Sequence, residues 1–189
     1  CFDMGILLNS GNTEFEEAVN AEIYVDKTLL IEYANRVLRT PQKYICVSRP
    51  RRFGKSMAAN MLTAYYSKGC DSRELFSPYK ISKSDSFEKH LNKYNVIHIN
   101  MVEYLTAAKS IENLIKYIED DIIGDITDSM PELIMPRRIS LTKVLTSAFN
   151  QFKIPFIFII DEWDCIFRKS SIKSEEYTMY LDFLRTLLK

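Results

Sequence analysis

The feature that most constrains the fold is a basic segment between an apolar run and a helix-forming run. The apolar run is residues 44–47, the segment reads R-P-R-R-F-G-K-S over residues 49–56, and residues 57–66 favour a helix. A strand, a phosphate-binding loop and a helix follow one another in this order around the Walker A pattern G-x-x-x-x-G-K-[ST]. The sequence therefore predicts an α/β fold with a phosphate-binding loop, the alternative being a basic turn before an ordinary core helix.

Each part of this loop pattern has a physical task. Backbone N–H groups converge on phosphate oxygens, and the following helix points its positive N-terminal end at the anion. Lys55 is predicted to reach the β- and γ-phosphates, and the Ser56 hydroxyl is predicted to ligate Mg²⁺. Gly54 fills the second glycine position, but Arg49 occupies the first, where a side chain disfavours positive φ. The predicted nucleotide-binding residues are Arg49, Pro50, Arg51, Arg52, Phe53, Gly54, Lys55, Ser56 and Met57.

A second segment supplies adjacent carboxylates. The apolar run of residues 156–160 ends in Asp161 and Glu162, as a Walker B strand does. Five consecutive apolar residues are typical of a strand buried on both faces. Asp161 is predicted to complete the Mg²⁺ shell opposite the loop, and Glu162 to orient or deprotonate the attacking water. A strand end with solvated acids is the alternative, and the loop upstream favours the functional interpretation.

Three blocks of sequence resemble the bacterial predicted AAA-ATPase-like family. They are Y-V-D-K-T at residues 24–28, S-R-P-R-R-F-G-K-S at 48–56 and D-E-W-D at 161–164. The family usually has Y-V-D-K-[ST], R-P-R-R-F-G-K-S and D-E-Y-D, so arginine at the first glycine position is its own habit and Trp163 is the visible departure. The resemblance spans nearly the whole chain. It implies a P-loop NTPase three-layer sandwich with a mainly parallel sheet, and ATP as the nucleotide.

The resemblance also implies a domain organisation. Residues 1–189 are expected to form the N-terminal part of an AAA-ATPase-like domain, with residues 1–40 as a helical extension. Relatives often continue into a restriction-endonuclease-like nuclease domain, so nucleic acid is a partner by analogy alone. In the resembled branch a central strand, later in the chain than residue 189, lies between the phosphate-loop strand and the Asp161 strand. We therefore expect an open slot between these two strands and a C-terminally truncated domain.

Composition narrows the remaining possibilities. A hydrophobic fraction of 47% indicates a folded chain, and equal numbers of Lys+Arg and Asp+Glu, 25 each, give no bulk-charge argument for nucleic acid. The four cysteines form no C-x-x-C pair, and the two histidines lack partners at metal-ligand spacing. Reduced cysteines and the absence of a membrane-length apolar stretch favour a cytoplasmic location without membrane contact.

The pattern along the rest of the chain indicates alternating strands and helices, and hence a parallel α/β topology. The predicted strands are residues 43–48, 95–101 and 156–160. The predicted helices are residues 13–20, 29–38, 55–68, 84–92, 110–128, 141–152 and 174–188, with a short helical turn at 72–76.

Several residues near the predicted site have two interpretations. Arg49, Arg51 and Arg52 either steer ATP, contact its γ-phosphate or meet nucleic-acid phosphate, or they form a solvated loop with carboxylate partners. Asp164 either orients the Asp161 site or begins a helix, and packing is favoured over ligand stacking for Trp163. Two principal functions stay open: Mg-dependent ATP hydrolysis, and a nucleotide-sensing or nucleic-acid-associated scaffold with little turnover. A pure interaction module is the third.

Overall fold

The computed structural model describes residues 7–9, 15–17, 31, 34–35, 42–47, 55–69, 71–169 and 171–187, with the backbone alone at 42–47 and 55–58. Residues 15–17, 31 and 34–35 are helical, as predicted for these positions. The strands are β1 (Gln42–Val47), β2 (Asn95–Asn100) and β3 (Phe156–Asp161). The helices are α1 (Lys55–Tyr66), α2 (Arg73–Phe76), α3 (Phe87–His90), α4 (Met101–Ala107), α5 (Ile111–Ser129), α6 (Leu141–Phe152) and α7 (Ser174–Leu187), and single 3₁₀ turns occupy Lys80–Lys83 and Cys165–Arg168.

The three described strands form one parallel sheet in the order β1-β3-β2. The register places Val47, Asp161 and Asn100 at one level, at the carboxyl ends of their strands. The predicted α/β class is therefore confirmed, and the strands predicted at 43–48, 95–101 and 156–160 form this sheet.

The predicted open slot between the phosphate-loop strand and the Asp161 strand is wrong. β1 pairs directly with β3 along its whole length, from Gln42 opposite Phe156 to Val47 opposite Asp161. Direct pairing satisfies the backbone N–H and C=O groups that an empty slot would have left without partners. An empty slot is therefore no reason to expect a further strand between these two.

Helices cover both faces of the sheet. Successive side chains of β3 point to opposite faces, so Phe156, Phe158 and Ile160 belong to one buried cluster, whereas Ile157 and Ile159 belong to another. The first cluster is completed by residues of α5, α6 and α7, and the second by residues of α1, α2 and α3. All six residues of β3 are buried, which agrees with the prediction of a strand covered on both faces.

Several element boundaries differ from the sequence prediction by one to three residues, and two of the differences have a visible structural cause. The strand predicted to run to Met101 ends at Asn100, whose side chain accepts a hydrogen bond from the N–H of Val102 at 3.1 Å and caps α4. The helix predicted over residues 84–92 is confined to α3, because the chain leaves it at Leu91 and turns through Asn92 at a φ of 53°. Across the described ranges, every helix is too short or too polar to cross a lipid bilayer.

Candidate functional site

The first turn of α1 lies at the carboxyl edge of the sheet. The opposite end of α1 is fastened to the start of β2, because the Tyr94 N–H donates to the Tyr66 carbonyl at 3.0 Å and the Lys68 N–H to the Tyr94 carbonyl at 2.8 Å. A helix of 12 residues is about 18 Å long and a strand of six residues about 20 Å. Since α1 packs along β3 and β2, its N-terminal residue Lys55 is placed at the edge where the strands end.

Asp161 lies at this same edge of the sheet. It ends β3, pairs in register with Val47 on one side and with Asn100 on the other, and is 3% exposed. The segment 48–54 leaves β1 directly after Val47 and leads to α1. The structure therefore brings together the origin of the predicted loop, the start of the following helix and a buried carboxylate.

The carboxylates at this edge fit a magnesium ion. Mg²⁺ in nucleotide sites takes one or two carboxylates together with phosphate oxygens and water, so no protein cage is needed. The described ranges contain no convergent group of three histidine, cysteine or acidic side chains, and such a site does not require one. Asp164 follows three residues after Asp161, and its Oδ1 is shielded from solvent and has no hydrogen-bond partner among the described residues.

The helix-start interpretation of Asp164 has limited support. Asp164 does precede the Cys165–Arg168 turn, but its side chain makes no capping hydrogen bond to that turn. Both interpretations of Asp164 therefore stay predictions.

Glu162 has an unusual backbone and one strong polar contact. Its φ is 59°, in the left-handed region that side chains with a Cβ disfavour. Its Oε2 accepts a hydrogen bond from Arg168 Nη2 at 2.8 Å. The two side chains are 20% and 34% exposed, so the ion pair is partly screened from water.

The turn between Glu162 and Arg168 is held by its backbone and by the core. The Cys165 N–H donates to the Glu162 carbonyl at 3.1 Å, and the Phe167 N–H donates to the Asp164 carbonyl at 3.1 Å. Cys165 and Ile166 are buried. Burial raises the pKa of the Cys165 thiol to about 11, which makes it a core residue rather than a nucleophile.

Trp163 packs within the protein. Its ring meets that of Phe167 edge-to-face at a centroid distance of 6.0 Å and lies against the cluster beneath α7. The Tyr180 hydroxyl, on α7, donates a hydrogen bond to the Trp163 carbonyl. These contacts agree with the favoured interpretation of Trp163 as a packing residue.

Part of the predicted site can be located and part cannot. Glu162 and Asp161 are described in full, whereas Lys55, Ser56 and Met57 are described as the backbone of the first turn of α1. The remaining predicted loop residues lie outside the described part of the chain: Arg49, Pro50, Arg51, Arg52, Phe53 and Gly54.

Sequence reasoning missed Arg168. An arginine six positions after an acid has no helical or strand periodicity to link the two, because the contact depends on the turn between them. The signal available was the presence of a single arginine close after the D-E-W-D block.

Comparison with known proteins identifies a family. The family model described as "Predicted AAA-ATPase" matches residues 10–189. No curated protein and no solved structure matches the chain.

Proposed function

Because the chain belongs to the predicted AAA-ATPase family, we propose that it binds Mg-ATP and hydrolyses it at the carboxyl edge of its sheet. The observation that supports this most is the shared position of the start of α1 and of Asp161 and Glu162, next to the strand from which the loop departs. Ligands of open parallel sheets bind outside the carboxyl ends of the strands, and a helix N-terminus there favours phosphate.

The chain's own residues divide the work as follows. Lys55 and the backbone N–H groups of the loop hold the phosphates, and Ser56 and Asp161 hold Mg²⁺. The metal ion, when bound, neutralises charge that develops on the phosphate oxygens. Glu162 orients a water molecule toward the terminal phosphate, and the edge position of its carboxylate leaves it partly exposed to solvent.

Nucleotide binding is tested by thermal unfolding. At a concentration one hundred times its dissociation constant, a ligand that binds the folded state alone stabilises it by about 2.7 kcal/mol. For a chain of this size that corresponds to a rise in Tm of roughly 5–10 °C. We expect this rise with Mg-ATP in the wild type and in Lys116→Ala, which removes an exposed lysine of α5, and its loss in Lys55→Ala. An equal rise in Lys55→Ala would refute the phosphate assignment.

Hydrolysis is tested by the release of inorganic phosphate. We expect Glu162→Gln to bind Mg-ATP and to lose turnover by about two to four orders of magnitude, as removal of a positioned base does. Asp161→Asn is expected to bind ATP more weakly when Mg²⁺ is present and to bind equally when Mg²⁺ is chelated. Turnover in Glu162→Gln equal to that of the wild type would exclude the catalytic role of Glu162.

One observation favours a second function, a nucleotide sensor with little turnover. The Glu162 carboxylate is engaged by Arg168 at 2.8 Å, and a carboxylate committed to a guanidinium is less available to water. This alternative predicts the same Tm rise with Mg-ATP and no phosphate release above that of Glu162→Gln. A nuclease partner and nucleic-acid binding stay predictions by analogy.

A further inference from the structure

The ion pair between Glu162 and Arg168 differs from the other ion pairs of the described residues. The pairs Arg73–Glu88 and Arg185–Asp182 have N–O distances of 2.7 and 3.1 Å, but each of their side chains is at least 60% exposed. Exposed pairs of this kind contribute little to folding. The Glu162–Arg168 pair has a similar length at about half that exposure or less, and it involves the proposed catalytic glutamate.

The position of Arg168 is fixed by the fold and not by the pair itself. Arg168 ends the 3₁₀ turn whose residues Cys165 and Ile166 are buried in the core. The following backbone is held as well, because the Lys169 N–H donates to the Ile166 carbonyl at 3.2 Å. Its long side chain is one-third exposed, so the guanidinium can exchange partners through water while its Cα stays in place.

The proposed nucleotide would bring a competitor for this guanidinium to the same edge of the sheet. Glu162 directly follows Asp161, which is in register with the last residue of β1, where the loop begins. In the proposed site the terminal phosphate would bind at the edge where Asp161 ends its strand. Arginine binds phosphate oxygens with the same fork geometry that it uses for a carboxylate.

We propose that Arg168 restrains Glu162 when no nucleoside triphosphate is bound and transfers to the terminal phosphate when one binds, which releases the Glu162 carboxylate to water. This inference rests on the proposed nucleotide site. Arg168 would then distinguish nucleoside triphosphates from diphosphates. A diphosphate lacks the γ-phosphate, so the guanidinium would stay on Glu162. The left-handed backbone of Glu162 agrees with it, since strain of this kind collects at positions that switch.

The experiment measures affinity, not turnover. Calorimetry gives the dissociation constants of two ligands, the Mg²⁺ complex of a non-hydrolysable ATP analogue and Mg-ADP. The proteins compared are the wild type, Arg168→Gln, Arg168→Lys, Glu162→Gln and the double variant that combines Arg168→Gln with Glu162→Gln. Arg73→Gln is the matched control, because it removes an arginine that is paired to a glutamate at a similar distance but on the open surface.

Opposite signs are expected for the two partners. Arg168→Gln is expected to weaken binding of the analogue about tenfold, because one charge-assisted hydrogen bond is lost, and to leave the affinity for Mg-ADP unchanged. Glu162→Gln removes the carboxylate that competes for the guanidinium, so it is expected to strengthen binding of the analogue several-fold. The double variant should resemble Arg168→Gln, Arg168→Lys should be intermediate, and Arg73→Gln should change neither ligand.

The outcomes separate this inference from the function on which it rests. If the wild type binds both nucleotides but Arg168→Gln changes both equally or neither, or if Glu162→Gln does not tighten the analogue, Arg168 is a structural residue and the proposal is wrong. If the wild type binds neither nucleotide, the nucleotide site itself is refuted. Should Arg168→Gln fail to fold, the intermediate affinity expected of Arg168→Lys decides the matter alone.

Discussion

The backbone of Glu162 yields a prediction whose sign runs against the usual preference for alanine over glycine. Its φ of 59° places a residue with a Cβ in the left-handed region, directly after the end of β3. Replacement by either alanine or glycine removes the ion pair to Arg168 equally. The difference between the two variants therefore depends on the backbone alone.

The magnitude follows from two opposing terms. A residue with a Cβ in the left-handed region costs about 1–2 kcal/mol relative to glycine. Glycine loses about 0.5–1 kcal/mol through its greater freedom in the unfolded chain. We therefore expect Glu162→Gly to be more stable than Glu162→Ala by about 1 kcal/mol, a Tm difference of roughly 2–4 °C for a chain of this size.

The assay is urea unfolding followed by circular dichroism, with two control positions. Lys153 caps the C-terminus of α6 with the same φ of 59°, so the glycine variant should again be more stable than the alanine variant there by about 1 kcal/mol. Lys116 is exposed within α5, where glycine should be worse than alanine by about 1 kcal/mol. If the controls behave so and Glu162→Ala is as stable as Glu162→Gly, the residue is unstrained and its proposed role as a switch loses that support.

Three further predictions concern the scaffold. The Asn92 side chain donates to two carbonyls at the end of α1 and accepts from the Ser72 N–H, at 2.9 Å each. Asn92→Ala should therefore lower the free energy of unfolding, measured in urea titrations, by about 3 kcal/mol. A loss below about 1 kcal/mol would contradict this prediction. Burial first, then Lys89 and Lys93, lowers the pKa of His90 below its ordinary value of 6.5. Near this pH the unfolded chain therefore binds more protons than the folded one, and the free energy of unfolding should fall as pH drops below about 6.5. The fall should be smaller in His90→Gln than in the wild type, and equal pH profiles of the two proteins would disprove this. Cys165 should resist iodoacetamide in the folded protein and react in urea, as read by mass spectrometry of its peptide, and rapid native labelling would contradict its burial.

Local patterns predicted those elements whose ends carry their own signals. α6 begins and ends where the sequence predicts, because Ser140 caps it through the Lys143 N–H at 3.3 Å and an apolar stripe continues to Phe152. The sequence analysis missed the short helix α4. Asn100 and Met101 continue the alternating pattern of β2, and Asn100 can be recognised as a helix cap only when the end of the strand is known. A local pattern therefore locates an element better than it locates the junction between two elements.

Pairing and contacts across turns were beyond the sequence. Whether β1 and β3 are neighbours depends on which other strands could pair with each of them, and the residues within β1 and β3 do not indicate their partners. The contact of Arg168 with Glu162 depends on the two buried residues that anchor the intervening turn. The D-E-W-D block thus predicted which residues lie at the strand end, but not which side chain contacts Glu162.

The placement of Asp161 follows from how the register of β3 is fixed. A strand that alternates apolar and polar residues is fixed by its buried face, but β3 is buried at all six positions, so a shift of one residue exchanges one apolar surface for another. Its ends must therefore fix the register. Pro155 precedes the strand and has no N–H to donate, while its carbonyl accepts from the Asn95 N–H at 3.0 Å and aligns β2 with β3. At the other end, a shift of one residue inward would carry the Asp161 carboxylate about 3.3 Å into an apolar layer, which costs several kcal/mol for an ionised group. The carboxylate required for the proposed metal site thus also holds its own strand in the register that places it beside the last residue of β1.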